Sequence, residues 1–153
     1  MSNGPLTKRV CTKRSANSTA AGTTTLTQTT VSMRQGGVSY NGVRCIVLLG
    51  DVTATALAHL KAYQGKVSDG SDKAALSGTS AQSAAGASDQ DNKLLIVDVY
   101  KPLEPYVTFE LVRGTANIVV DGILFELYEP REAVITEDST VLSETCLVEA
   151  DEA

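Results

Sequence analysis

From Lys93 to Tyr128 the chain is written as three apolar runs set apart by turn residues, and two of them alternate with period two. Lys93–Tyr100 is rich in β-branched residues and is stopped by Pro102. Tyr106–Arg113 places Val107, Phe109 and Leu111 on one face and Thr108 and Glu110 on the other. Asn117–Tyr128 changes phase: Ile118 and Val120 share one parity, while Ile123, Phe125 and Leu127 share the other. Successive strand side chains point to opposite faces, so one extra residue at Asp121-Gly122 would return all five to the same face. A tight hairpin at that dipeptide is the alternative.

The upstream half carries weaker signals of the same kind. Residues 1–24 are polar and read as an extended basic arm. Thr25–Met33 is Thr-rich and suits a strand with one wet face, broken by Gln35-Gly36-Gly37. Gly42–Val52 reads as a strand apolar on both faces, which implies a central position or an interface, with a turn or bulge at Gly50-Asp51. Thr53–Tyr63 is Ala-rich, but its alternation and missing cap favour a strand over a helix. Residues 64–92 read as a long loop with one short strand near 73–76. The segment 131–153 is an acidic tail, in which Val134-Ile135 and Val141-Leu142 suit an edge strand or an extended arm. Short strands, turn signals and no long amphipathic helix predict an all-β fold. It would be one antiparallel β-sandwich or jelly-roll-like barrel over residues 25–130, with extended N- and C-terminal arms.

Composition narrows the function. The 153 residues include no Trp and only 5% aromatics, so the core rests on Val, Leu, Ile and Ala. The net charge of −5 argues against a nucleic-acid binder. That charge is uneven. Lys8, Arg9, Lys13 and Arg14 cluster near the start, whereas from Glu129 onward eight acids face Arg131 alone. Cys11, Cys45 and Cys146 lack metal spacing and read as reduced thiols. No apolar run is long enough to span a membrane and no secretory signal is evident, so a cytoplasmic site of synthesis is expected.

No catalytic, cofactor or metal constellation is legible, and the chain reads as a non-enzyme. His59 is the one histidine, which leaves no zinc pair. Cys45 with His59 would be a thiol–imidazole pair, but the neighbours of Cys45 look like a buried strand. Asp89, Asp91 and Asp98 have calcium-type oxygens without the calcium-loop spacing. Asp51 and Asp69 have no carboxylate partner for acid–base work. The four cations at the start suit either a clamp on an acidic surface or a solubilising terminus.

The stretch Asp89–Glu132 resembles the capsid decoration, or cementing, proteins of tailed bacteriophages. The words that carry it are Asp89-Gln90-Asp91-Asn92-Lys93 leading into Leu94–Tyr100, the Lys101-Pro102 turn, and Tyr106-Val107. Arg113-Gly114-Thr115-Ala116-Asn117, Val120-Asp121-Gly122 and Leu127-Tyr128-Glu129-Pro130-Arg131 follow. The likeness fades upstream toward Val43. It departs at Asp69-Gly70-Ser71-Asp72-Lys73, where such proteins often place a Trp, and in the longer ends. The resemblance implies a jelly-roll-like protein without catalytic group or cofactor, carried on the capsid exterior of a virion and made in the host cytoplasm. Its partners would be the major capsid protein and itself, as a homodimer or homotrimer, with no membrane or nucleic-acid contact. Lys8, Arg9, Lys13 and Arg14 would lie on acidic patches of the shell. Gly42–Leu49 and Lys93–Tyr100 would give core on one side and oligomer interface on the other.

Two rival readings keep the sandwich and change the job. A carbohydrate- or receptor-binding accessory would use exposed aromatics, of which the sequence offers Tyr40, Tyr63, Tyr100, Tyr106 and Tyr128. A low-copy head–tail or other virion component has the same sequence requirements as a decoration protein.

Overall fold

The protein was analysed as a computed structural model that describes residues 5–82, 90–132 and 135–146. Among the described residues eleven strands follow a short 3-10 turn at Leu6–Lys8. They are β1 (Val10–Ala16), β2 (Thr19–Gly22), β3 (Leu26–Thr27), β4 (Val31–Ser32), β5 (Arg34–Gln35) and β6 (Val38–Val52). After these come β7 (Leu57–Gly65), β8 (Ala74–Gln82), β9 (Leu94–Tyr100), β10 (Tyr106–Gly114) and β11 (Ile118–Pro130).

The strands form two antiparallel sheets. In the first, β11 lies beside β6, with β1 and β2 along the outer edge of β11 and β9 and β5 along the outer edge of β6. In the second, β10 lies beside β7, with β3 and β4 outside β10 and β8 outside β7. With β1–β2, β3–β4 and β5–β6 each counted as one unit, successive units of the chain alternate between the sheets except at the β7–β8 hairpin. That winding gives two four-wide sheets with the antiparallel jelly-roll order.

The core lies between the sheets and is built by alternation. Val43, Cys45, Val47 and Leu49 of β6 meet Ala58, Leu60 and Ala62 of β7 there, and Val107, Phe109 and Leu111 of β10 meet Ile123, Phe125 and Leu127 of β11. Phe109 and Phe125 join the two sheets, with ring centroids 5.3 Å apart. With so few aromatics, the core is filled by aliphatic side chains, to which β7 contributes the small Ala58 and Ala62.

Paired bulges keep this pattern in phase. Opposite β6, Val120 pairs Leu49 and Gly122 pairs Leu48, so Asp121 is the extra residue of β11. This is the bulge expected from the parity change, and β11 continues through it without a hairpin. On β6, the pairing steps from Leu49 to Val52 while β11 steps from Val120 to Ile118, which places a second irregularity at Gly50-Asp51. The two devices face each other: a Cβ on Gly50 would come within 2.8 Å of Asp121 Oδ1 and 2.9 Å of Val119 Cγ1. The turn before β9 is tied to the same spot, because Asp91 Oδ1 accepts from Val52 N–H at 2.7 Å.

Three expectations are corrected. The extended arm expected over residues 1–24 is, over its described part 5–24, docked on the sandwich, since β1 pairs β11 along its length and Cys11 is fully buried. The polar composition there reflects an edge strand and the exposed β2, not disorder. Residues 83–89 lie outside the described residues, and over residues 74–82 the long loop expected for 64–92 is replaced by the nine-residue strand β8, which pairs β7. Its Ala74 and Ala75 are exposed and Leu76 only half-buried, so this edge strand leaves little periodic signal. Nor does the acidic tail hang free where it is described. Ile135 packs on the core, and residues 136–140 run past Cys11 and along β1. Val134 lies outside the described residues, while Val141 and Leu142 are in no strand.

Candidate functional site

Alternation that fills the core also decides what the first sheet shows to solvent. Residues facing outward form cross-strand rows. Tyr128, Gly42 and Tyr100 make one; Thr12, Glu126, Arg44 and Asp98 make the next; Arg14, Leu124, Ile46 and Ile96 make a third; Gly122, Leu48 and Leu94 make the last. The outward side of β9 is the most open part, with Leu94 54%, Ile96 43% and Tyr100 52% exposed. Its inward side, Leu95, Val97 and Val99, is buried. Thus β6 and β9 are apolar on both sides, as their sequences imply, and among the described residues nothing covers the second apolar side.

The aromatic row is fixed by glycine. A Cβ at Gly42 would collide with the Tyr128 ring, so only glycine lets that ring lie across β6. Tyr128 then donates to Asp98 Oδ1 at 2.6 Å, and Tyr100 donates to Glu129 Oε2 at 2.8 Å. The two rings are nearly parallel, with centroids 6.3 Å apart, and Lys101 Nζ lies 5.1 Å from the Tyr100 ring centre. Burial first, then the bond to Asp98, pushes the Tyr128 phenol above its usual pKa. Next to this row, Arg44 is paired with Glu126. A groove of about 770 Å³ opens between these groups and the N-terminal turn, with Leu6 and Arg9 on its far wall.

The four cations singled out from the sequence do not form one clamp. Lys8 and Arg9 are exposed around the 3-10 turn, and Arg9 lines the groove. Alternation along β1 sends Lys13 and Arg14 to opposite sides. Lys13 Nζ pairs with Asp138 Oδ2 at 3.5 Å, so the acidic C-terminal segment already engages it. Burial works to raise the Asp138 pKa, but hydrogen bonding with Thr140 and the Lys13 charge outweigh it and hold the carboxyl low. Arg14 stays exposed at the end of the aliphatic row.

The remaining candidates are also kept apart. Cys45 points into the core from the first sheet, whereas His59 sits on the outward face of β7 in the second, opposite Val112 and Gln82. Burial pushes the Cys45 thiol well above its usual pKa, which makes it a poor nucleophile. Asp91 serves the turn before β9 and Asp98 serves Tyr128; Asp89 lies outside the described residues. Asp51 is exposed at the β6 bulge, and Asp69 accepts from Ser71 N–H at 2.8 Å in a turn. Among the described residues no three His, Cys, Asp or Glu side chains group as a metal site, and no helix is long and apolar enough to cross a membrane.

The sequence reading missed one functional-looking residue. Arg113 is only 5% exposed and donates to the carbonyls of Thr24 at 2.8 Å, Ala20 at 3.0 Å and Ile118 at 2.8 Å. Its parity matches inward-facing Val107, Phe109 and Leu111, so the alternation already placed it inside. Its role is to hold the β2–β3 link to the sandwich. Comparison of the chain with protein-family models, with curated proteins and with solved structures finds no match.

Proposed function

We propose that this chain is a structural, non-enzymatic capsid decoration protein. It would bind the outside of a phage icosahedral shell, associate with copies of itself, and reinforce contacts between major capsid subunits. The observation that carries the reading is the uncovered apolar side of β6 and β9 on a fully formed jelly roll. Leu94, Ile96 and Tyr100 are exposed over a sheet whose other face is complete core. Leu94 and Ile96 adjoin Leu48 and Ile46, and the row of Glu126, Arg44 and Asp98 separates them from Tyr100. Exposed apolar surface with such a polar row suits a protein–protein interface. Arg14 lies on that face, Arg9 lines the groove at its end, and these two with exposed Lys8 suit acidic patches of a shell subunit. Many weak contacts, repeated over a shell, would combine into strong attachment.

The test is the copy number of the chain in purified particles relative to the major capsid subunit, by quantitative mass spectrometry. A simple ratio near one or a fraction of it is the expected result. A dozen copies or fewer would favour a head–tail component, and absence from particles would remove the virion reading. The Tyr100–Tyr128 pair beside Asp98 and Glu129 favours a second reading, a carbohydrate- or receptor-binding accessory. Glycan-array binding lost in Tyr100→Ala would support it.

A further inference from the structure

We infer that the outer face of the first sheet seats a second copy of this chain, packed face to face about a two-fold axis parallel to the strands between β6 and β11. The inference rests on the self-association in the reading above and adds its surface, symmetry and residue pairs.

The argument is one of self-complementarity. The face has four columns, in the order β1, β11, β6, β9. A two-fold axis along the middle of those columns sets β11 of one copy on β6 of the other, and β1 on β9, with each row meeting itself reversed. In the charged row, Glu126 then faces Arg44 of the other copy. The pair that exists within each chain becomes an alternating set of four charges. In the aliphatic row, Leu124 faces Ile46, and Arg14 comes over Ile96 with Asp98 as its diagonal neighbour. In the last row, Leu48 faces Gly122, where a Cβ would meet only Ala16 O, at 3.7 Å, so there is room for a side chain. The central rows carry the match, and they are the rows that sheet twist displaces least when two sheets pack nearly aligned.

The other face-to-face arrangement fails on the same rows. An axis across the strands sets each column on itself. Glu126 then meets Glu126 if the axis runs through the charged row. If it runs between the two central rows, Arg44 meets Ile46 and Glu126 meets Leu124. Like charges opposed, or charges buried against aliphatics in the two central columns, cost free energy that the first arrangement avoids there, leaving only Arg14 over an aliphatic, at the rim and beside Asp98.

The experiment uses the geometry directly. Within one chain Arg14 and Ile96 sit at opposite edges, three strand spacings or about 14 Å apart, too far for a disulfide. In the proposed pair they face each other. The full-length chain carrying R14C and I96C, in a C146S background, should cross-link to a covalent dimer under mild oxidation. The two single variants should remain without a covalent cross-link apart and cross-link when mixed. In parallel, wild type should sediment as a dimer. L94K/I96K, altered only at exposed positions, should sediment as a monomer with an unchanged circular dichroism spectrum and melting temperature. A dimer that cross-links through R14C alone would overturn the axis. A wild-type monomer or trimer, or a dimer unaffected by L94K/I96K, would overturn the pairing. None of these outcomes bears on copy number in particles, so failure here is distinguishable from failure of the capsid reading.

Discussion

The backbone N–H of Thr12 donates to Oε2 of Glu137 at 2.9 Å, although the two residues are 125 positions apart. One turn of β1 later, the N–H of Arg14 donates to Thr140 Oγ1 at 2.9 Å. These donors lie on the edge of β1 that no strand covers. The segment 136–140 satisfies them with side chains instead of a ladder, which protects the edge without extending the sheet. Thr140→Val keeps the shape and removes the acceptor, so it should cost about 1 kcal/mol in urea unfolding. An unchanged midpoint would show that the segment does not hold the edge.

Glu137 should respond differently. Its Oε1 is buried without a hydrogen-bond partner, and burial, with Glu144 adding its charge, raises its pKa above the ordinary 4.5. A carboxyl raised in the folded state binds more protons there than in the unfolded chain. Its contribution is favourable below 4.5 and is lost as pH rises through the raised value. Glu137→Gln retains an acceptor for Thr12 and cannot ionise. Its stability at neutral pH should equal or exceed that of wild type, and it should lack the wild-type decline above pH 4.5. Lower stability of the Gln variant at neutral pH would contradict this.

On the second sheet the sign reverses. Lys73 Nζ lies 2.7 Å from Glu110 Oε1 and 5.4 Å from the Tyr63 ring centre. Burial works to raise the Glu110 pKa, but hydrogen bonds from Lys73 and Tyr63 and the Lys73 charge win, and it is held below the usual 4.5. Stability from this carboxylate is present above 4.5 and disappears as pH falls toward the lowered value. Lys73→Met should cost about 1 kcal/mol at neutral pH and almost nothing in acid. A cost independent of pH would assign the effect to lost packing instead.

Arg113 is held by geometry that a lysine cannot copy. Its fork reaches three carbonyls, and Gly22 leaves it space, since a Cβ there would lie 3.2 Å from Arg113 Nη2. Arg113→Lys should lose about 2 kcal/mol, and Arg113→Met more, because the carbonyls are left unpaired. Amide exchange should show the loss first across residues 19–24. Equal stability of the Lys variant would mean that water replaces the fork.

Removing Asp121 should be far worse than replacing it. Deletion closes the bulge and turns either Ile118 and Val120, or Ile123, Phe125 and Leu127, away from the core. The deletion should abolish cooperative unfolding, while Asp121→Asn should melt within a few degrees of wild type. A folded deletion variant would show that the register can slip.

Much of this fold is legible from local pattern. The strands β6, β7, β9, β10 and β11 alternate because each buries one face, and the bulge at Asp121 is visible as a change of parity. The sequence hides the edge elements. β1 and β8 have neighbours on one side only, so Lys13, Arg14, Ala74 and Ala75 carry no burial signal. The basic start and acidic end are plain in composition. That they meet, Lys13 with Asp138, is set by strand order, which no local spacing encodes. The outer apolar side of β6 and β9 could be read from the sequence, but its row-by-row pairing required the register.

The first strand of this protein is completed by the last. Among the described strands β1 pairs only with β11, and its other edge is closed by residues beyond β11. During synthesis Cys11 and its neighbours therefore wait for more than a hundred residues before their partners exist. The jelly roll cannot be assembled from its beginning, and such long-range closure makes folding slow. A stall before residues 118–140 have left the ribosome would leave β1 and β6 without their shared partner β11, whereas a stall after that segment has emerged would not.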